Sequence, residues 1–296
     1  MKTLGINKNF LAIEDQYSSY DNSEIVVLSA PFEKTVSYGH GTEKGPEEIL
    51  KASHYVEFYD EELDRELVFE KGICSAAPIN FKDHSVKKSL NMIYEKVRKV
   101  LADGKFPVIL GGEHSITSAV VKAFNEIYPD MSILHFDAHS DLRDSYEGSI
   151  YSHASVMARV FEFNKNLVQV GIRAQCAQEA KFIRENSIKT FYARNIRQGT
   201  YGENWPQEVL NSLKEKVFIS FDVDCFDPSL LPATGTPEPG GMFWDEIMNL
   251  LKLVGRERSI IGFDVLELAP AKGSDSSNFT TAKLVYKLLN YAFQNK

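Results

Sequence analysis

The stretch Ile133 to Asp144 reads ILHFDAHSDLRD, and it changes character halfway along. It begins as a run of apolar residues and then places Asp137, His139 and Asp141 two residues apart. In an extended strand, residues two apart point to the same side. If the strand continues through this segment, we expect two carboxylates and an imidazole to converge on one side of it.

Similar apolar runs recur along the chain and alternate with helical patterns. Residues 86–101, for example, repeat apolar side chains at helical spacing before the stop signal at 102–104. Near-continuous apolar runs are typical of strands buried on both faces of a parallel sheet. We therefore predict an α/β fold with helices on both faces of the sheet, formed by a single domain over residues 1–296. The predicted strands are 24–31, 106–112, 131–137, 167–173, 189–193, 217–224 and 259–268.

Four of these runs lead into acidic residues or histidines, which can bind metals or transfer protons. They end at His114, Asp141, Asp224 and Glu267. Ligands of open α/β sheets bind outside the carboxyl ends of the strands. The run that ends at Asp224 also contains Asp222, which repeats the spacing of two. We expect all these side chains to meet at one edge of the sheet.

Carboxylates crowded in this way repel each other, and their burial is unfavourable unless a positive charge offsets it. Neither 137–141 nor 222–224 contains Lys or Arg, so a metal is the simplest source of that charge. An oxygen-rich set with two imidazoles and no thiolate favours Mn²⁺ over a sulfur-rich zinc site. A water held between two such ions would be acidic enough to serve in hydrolysis.

Other residues near these motifs are interpreted as structural. His135 lies deeper in its apolar run and is predicted to be a core histidine with satisfied hydrogen bonds. Asp227 precedes Pro228 and is predicted to form a turn. Cys225 is predicted to be a small packed residue. The remaining histidines, in loop or helix contexts, are His40, His54 and His84.

Composition excludes several classes of protein. A net charge of −8 is unsuited to binding a nucleic-acid backbone. No apolar stretch approaches the ~20 residues that a membrane span needs. Three scattered cysteines and no apolar leader predict free thiols and a cytoplasmic location.

Four segments, in order, resemble the signatures of the ureohydrolases, the arginase–agmatinase superfamily. They are GGEHS (111–115), FDAHSD (136–141), SFDVDCFDPSLLPATGTPEPGG (220–241) and GFDVLELAP (262–270). The resemblance extends over nearly the whole chain. It implies a three-layer α/β/α sandwich around an eight-stranded, mostly parallel sheet, and a homo-oligomer, commonly a trimer or hexamer.

The resemblance also implies roles for individual residues. Glu267 corresponds to the acid that binds the guanidinium group. His153 corresponds to a histidine that shuttles a proton or orients the substrate, and Asp141 is placed to relay a proton to the departing amine. Asp137 and Asp222 correspond to carboxylates that bridge two Mn²⁺ ions per chain. The full set of implied metal ligands is His114, Asp137, His139, Asp141, Asp222 and Asp224.

Two segments bear on the substrate. TPEPGG (236–241) is similar to agmatinases, and the loop 143–153 lacks the Asn-Thr segment with which arginases hold an amino-acid head. The expected substrate is therefore a small cationic guanidine, foremost agmatine, which would yield putrescine and urea. Arginine, guanidinobutyrate and aminopropylagmatine are the alternative substrates, and a non-catalytic, metal-stabilised homologue is the alternative function. Glu113 stands where many members have Asp, and it is not a ligand in the family pattern.

Overall fold

Eight strands form one parallel sheet within residues 1–273 and 275–295, which are the residues that the computed structural model describes. Their order across the sheet is β2-β1-β3-β8-β7-β4-β5-β6. The central strands are almost completely buried, in agreement with their continuous apolar sequences. The strands are β1 Ile25–Ala30, β2 Ile73–Ser75, β3 Phe106–Gly111, β4 Ser132–Phe136, β5 Leu167–Ile172, β6 Lys189–Tyr192, β7 Lys216–Asp222 and β8 Ser259–Leu266.

Helices cover both faces of the sheet and complete a three-layer sandwich. One apolar core packs α2, α9, α10 and α11 against one face, and a second core packs α4, α5, α6 and α7 against the other. The helices are α1 Asp15–Ser18, α2 Gly45–Ser53, α3 Leu67–Lys71, α4 Val86–Ala102, α5 Thr117–Asn125, α6 Val156–Phe163, α7 Ala177–Asn186, α8 Ala193–Arg197, α9 Trp205–Asn211, α10 Trp244–Glu257 and α11 Asp275–Ala292.

The longer helices bury an apolar stripe at helical spacing, as α4 illustrates. In α4, Leu90, Ile93 and Val97 are buried, and the Ser85 hydroxyl caps the helix by accepting a hydrogen bond from the Lys88 N–H. The predicted α/β fold with a parallel sheet is thus confirmed, as are all seven predicted strands. The eighth strand, β2, escaped prediction because it has only three residues, too few to show a pattern.

The order of the strands brings the polar strand ends together. β3, β8, β7 and β4 are neighbours in the middle of the sheet although they are far apart in sequence. His114, Glu267, Asp224 and Asp141 follow these strands closely. The predicted meeting of these residues at one edge is a consequence of this order.

Two further sequence predictions can be compared with the described residues. All three cysteines are free thiols, and Cys74 and Cys225 are buried. No helix within 1–273 or 275–295 combines the length and apolar character that crossing a membrane requires.

Gly112 lies where three backbone segments of the site approach each other closely. Its N–H donates to the carbonyl of Ala30, and its own carbonyl accepts the N–H of Glu267 at 2.9 Å. A Cβ atom built on Gly112 would lie 2.1 Å from the carbonyl oxygen of Phe32. The path of the chain between β3 and His114 therefore requires glycine.

We predict that Gly112→Ala lowers the free energy of unfolding by about 2 kcal/mol or more, because a methyl group has to displace backbone rather than a flexible side chain. Urea denaturation followed by circular dichroism measures the change. Gly5→Ala is the matched control, since nothing lies within 4 Å of its Cβ position. Equal stability of the two variants would contradict this account of Gly112.

Candidate metal centre and substrate cleft

The segment after β4 turns sharply and does not continue as a strand. β4 ends at Phe136, His139 forms only an isolated bridge to Ala174, and Asp141 has a left-handed backbone with φ of 53°. The expectation that 137, 139 and 141 share one side of an extended strand is therefore wrong. β7 likewise ends at Asp222 and passes into a short 3₁₀ turn. Tight turns bring the side chains of both segments together. One such turn is held by the His139 N–H, which donates to Asp137 Oδ1.

Three carboxylates surround one ring nitrogen of His114. Its Nδ1 lies 3.0 Å from Asp137 Oδ2, 3.3 Å from Asp141 Oδ2 and 3.4 Å from Asp222 Oδ2. The other ring nitrogen, Nε2, is 3.0 Å from the Ser220 hydroxyl. Although it is buried, Nδ1 has no hydrogen-bond partner of acceptable geometry. Buried polar atoms seldom lack a hydrogen-bond partner. An unpartnered imidazole nitrogen together with three carboxylate oxygens is a set of atoms that can coordinate a cation.

A second group lies beside the first and shares one residue with it. His139 Nδ1 is 2.9 Å from Asp224 Oδ2 and 3.5 Å from Asp137 Oδ1. Asp137 thus directs one carboxylate oxygen to each group. The second group, Asp137, His139 and Asp224, has the composition of a metal site, and so do His114, Asp137 and Asp141 of the first. The six predicted ligands lie in these two groups, and Asp137 belongs to both. The bridging roles of Asp137 and Asp222 stay predictions.

The ionisation of these groups reflects their crowding. Burial raises the pKa of Asp222 and of Asp224, and the nearby charge of Asp137 raises it further. Burial alone would lower the pKa of His139, but Asp224 and Asp137 outweigh it and raise this pKa to about 12. The cluster thus attracts positive charge strongly, and bound divalent cations would supply it. The residues present fit the metal pair that the family resemblance implies.

His135 contacts the site without an open ligand position. Its Nε2 is 2.8 Å from Asp137 Oδ2, and its Nδ1 is 3.0 Å from the amide nitrogen of Gln169. The amide donates to Nδ1, so Nε2 carries the proton and donates it to Asp137. The prediction of a satisfied core histidine is confirmed. The structure adds that this histidine orients the shared carboxylate, as outer partners of metal ligands commonly do.

A cleft of about 310 Å³ opens above the cluster. Glu267 lies on its floor with a left-handed backbone (φ 64°), and its Oε1 accepts the His114 N–H at 2.6 Å. Burial raises the pKa of Glu267 well above its usual range, although the His114 N–H stabilises the carboxylate. A cation placed against Glu267 would favour its ionised form. The predicted guanidinium-binding acid therefore does line the cleft, beside the metal ligands.

His153 lines the same cleft from another direction. It begins a short 3₁₀ turn before α6, and its backbone N–H donates to the Thr35 hydroxyl at 3.1 Å. The ring of Tyr146 meets the imidazole edge-on, with 5.8 Å between the ring centroids. The structure thus places His153 at the cleft, as the sequence predicts.

Several residues of the cleft wall were not found from the sequence. Tyr38, Arg143, Glu179 and Glu238 lie in loops or on helices whose sequences carry no repeating signal. Carboxylates outnumber this one arginine along the wall, and Arg143 itself lies near Glu179, with 3.9 Å between Nε and Oε2. The cleft favours a cationic ligand.

Arg173 holds two parts of the site together and also carried no signal in the sequence. Its Nη2 donates to the backbone carbonyls of Asp224 at 2.6 Å and Glu238 at 2.8 Å. Its Nε also donates to the Glu238 carbonyl, and its Nη1 donates to the carbonyls of Gly171 and Cys225. A single guanidinium thus ties the loop of a metal ligand to the wall of the cleft.

The residues interpreted as structural lie in structural environments. Asp227 accepts the hydroxyl of Ser229 and the N–H groups of Ser229, Gly240 and Gly241. Burial alone would raise its pKa, but these bonds outweigh it and lower the pKa to about 2. It is a turn former, as predicted. Cys225 is buried beneath the site. The residues that line the cleft do not include His40, His54 or His84.

Comparison with known proteins agrees with this geometry. The family model described as the arginase family matches residues 23–291. A relative from Synechocystis, N(1)-aminopropylagmatine ureohydrolase, is 41% identical over 96% of this chain and 94% of its own length. An agmatinase from Bacillus anthracis is 34% identical over 92% of this chain and 93% of its own. The crystal structure of agmatine ureohydrolase of Thermoplasma volcanium superposes with a TM-score of 0.86 and 28% identity, covering 97% and 94% of the two chains.

We predict that wild-type protein binds two Mn²⁺ ions per chain and that Asp137→Ala lowers this content severely, because the substitution removes an oxygen from each group. Inductively coupled plasma mass spectrometry after dialysis measures the content. Asp144→Ala is the control, since that side chain is 95% exposed. Retention of both ions by Asp137→Ala would contradict the shared role of Asp137.

Proposed function

Because this chain belongs to the arginase family, we propose that it is a manganese-dependent ureohydrolase of linear alkylguanidines, with N(1)-aminopropylagmatine as the preferred substrate and agmatine as the second candidate. The reaction is hydrolysis of the guanidino group to urea and a primary amine. A C–O bond forms at the guanidino carbon, the bond to the alkyl nitrogen breaks, and that nitrogen leaves with a proton.

The position of Glu267 is the observation that carries this proposal. Its carboxylate lies on the cleft floor, joined to the His114 backbone by a 2.6 Å hydrogen bond. A carboxylate is a strong partner for a guanidinium because paired N–H donors match its two oxygens. Binding of the substrate there would hold the guanidino carbon next to the metal cluster and fix its orientation.

The remaining groups of the floor have distinct tasks. His114, Asp137, His139, Asp141, Asp222 and Asp224 would hold two Mn²⁺ ions. When bound, such a pair supplies an acidified water as the nucleophile. Asp141 faces both the cluster and the cleft and is suited to move a proton to the departing amine. His153, which also lines the cleft, orients the substrate or exchanges a proton with it.

The relatives and the cleft wall support a polyamine-like tail. Over the aligned residues, the Synechocystis relative named for the aminopropyl compound is 41% identical to this chain, and the Bacillus agmatinase is 34% identical. Glu238 and the exposed Tyr38 line the same cleft as Glu267. A carboxylate and an aromatic ring are suitable partners for the additional ammonium of an aminopropyl tail. Agmatine remains the second candidate because the agmatine ureohydrolase structure superposes over nearly the full chain.

We predict that the manganese-loaded enzyme has its highest kcat/KM for N(1)-aminopropylagmatine, a lower value for agmatine, and little activity on arginine or guanidinobutyrate, whose carboxylates oppose the acidic wall. A urea-release assay over these four compounds measures the order. Higher kcat/KM for agmatine would select the second candidate. No urea from any compound would indicate a non-catalytic homologue.

We predict that Glu267→Gln lowers kcat/KM by about a hundredfold or more, because a neutral amide gives up the charged pairing with the guanidinium. Its manganese content is expected to stay near that of wild type, since Glu267 is not among the ligands. Glu238→Gln is the matched comparison, and we expect a smaller loss that is confined to the longer substrate. Wild-type kinetics in Glu267→Gln would contradict the assigned role.

A further inference from the structure

Glu113 is a buried carboxylate that the reaction described above does not use. It lies beside the ligand His114 in sequence and is 0% exposed. Oε2 accepts the backbone N–H of Thr35 at 2.6 Å and also that of Lys34. Oε1 accepts the Thr35 hydroxyl at 2.7 Å and the hydroxyl of Ser115. Three of its four hydrogen bonds therefore hold residues 34 and 35, which are about eighty positions away in sequence.

The Thr35 hydroxyl connects Glu113 to His153. It donates to Glu113 and accepts the backbone N–H of His153 at 3.1 Å. The same hydroxyl oxygen lies 3.5 Å from the Nδ1 atom of the His153 ring. The wall of the cleft that carries His153 is thus joined, through one hydroxyl, to a carboxylate next to a metal ligand.

The segment that follows Thr35 forms another part of the cleft wall. Val36, Ser37, Tyr38 and Gly39 all line the cleft. The far end of the segment is held where the Gly39 N–H donates to the carbonyl of Gly235 at 3.2 Å. Between these two attachments Ser37 and Tyr38 are exposed. The position of this wall therefore depends on its two ends, and Glu113 holds the first of them.

We infer that Glu113 is a positioning residue, which fixes the wall segment 36–39 and His153 at the correct distance from the metal cluster without touching the substrate. The inference rests on the proposed function, since the wall matters for catalysis only if a guanidine binds in the cleft. The physical reason is that small displacements of the groups that orient a substrate cause large losses of rate.

Glu113→Ala tests the inference. We expect KM for the preferred guanidine to rise about tenfold, with a smaller fall in kcat and an unchanged manganese content. Hydrogen–deuterium exchange of residues 34–39, read by mass spectrometry, should become faster, because the N–H groups of Lys34 and Thr35 lose their acceptor. Loss of manganese together with activity would mean that Glu113 acts through His114, and would overturn the inference. Unchanged KM and exchange would overturn it as well.

Thr35→Val is a milder variant for the case in which Glu113→Ala fails to fold. It removes the hydroxyl that joins Glu113 to His153 and leaves the two backbone bonds to Glu113 in place, so we expect a smaller rise in KM. Thr35→Ser restores the hydroxyl and should restore KM. In the double variant, Thr35→Val should raise KM little beyond the value for Glu113→Ala alone, because both substitutions break the same chain of hydrogen bonds. If the effects of the two substitutions on KM were fully additive, they would not act through the same hydrogen bonds.

Ser115→Ala is the matched control, because it removes the one Glu113 hydrogen bond that does not reach the wall segment. We expect its KM to stay within about twofold of wild type, and a rise equal to that of Glu113→Ala would count against the inference. If wild type hydrolyses none of the guanidines, the proposed function fails, while the exchange measurement still decides whether Glu113 holds the segment.

Discussion

The mutual repulsion of carboxylates around one imidazole nitrogen is the constraint on which the rest of this structure depends. Asp137, Asp141 and Asp222 direct oxygens to the buried Nδ1 of His114, which has no hydrogen-bond partner of its own. Such a cluster is unfavourable without positive charge, and burial increases the penalty. The fold therefore has to hold these side chains close together against their repulsion.

The sheet provides this support. The four strands that carry the cluster and Glu267 are neighbours, and helices cover both of their faces. Beyond the strands, the backbone adopts left-handed conformations at Asp141 and Glu267, which non-glycine residues seldom adopt. Each such residue is unfavourable by ~1–3 kcal/mol, and strain of this kind is concentrated at functional sites. Here it turns two carboxylates toward the cleft at the ends of their strands.

The loops around the cleft are held by two charged side chains that act on the backbone, the half-buried Arg173 and the buried Glu113. Arg173 donates to the carbonyls of the Asp224 loop and of Glu238, whereas Glu113 accepts N–H groups from residues 34 and 35. One group therefore supplies donors and the other supplies acceptors, and each connects the cluster to a wall. Exposed wall residues such as Tyr38 are thus separate from the buried residues of the cluster.

The sequence by itself determined the α/β class, seven of the eight strands and the six candidate ligands, because continuous apolar runs and acidic strand ends are local patterns. The strand ends also indicated Glu267, and the resemblance to the ureohydrolases added its role and His153. Only the tertiary structure decided how the ligands converge: Asp137, His139 and Asp141 meet through a turn, and not along a strand as we expected. It also decided the roles of Glu113 and Arg173, because their partners lie in distant loops. A hydrogen bond to a backbone group leaves no trace in the partner's residue type, so no sequence pattern could have indicated these contacts.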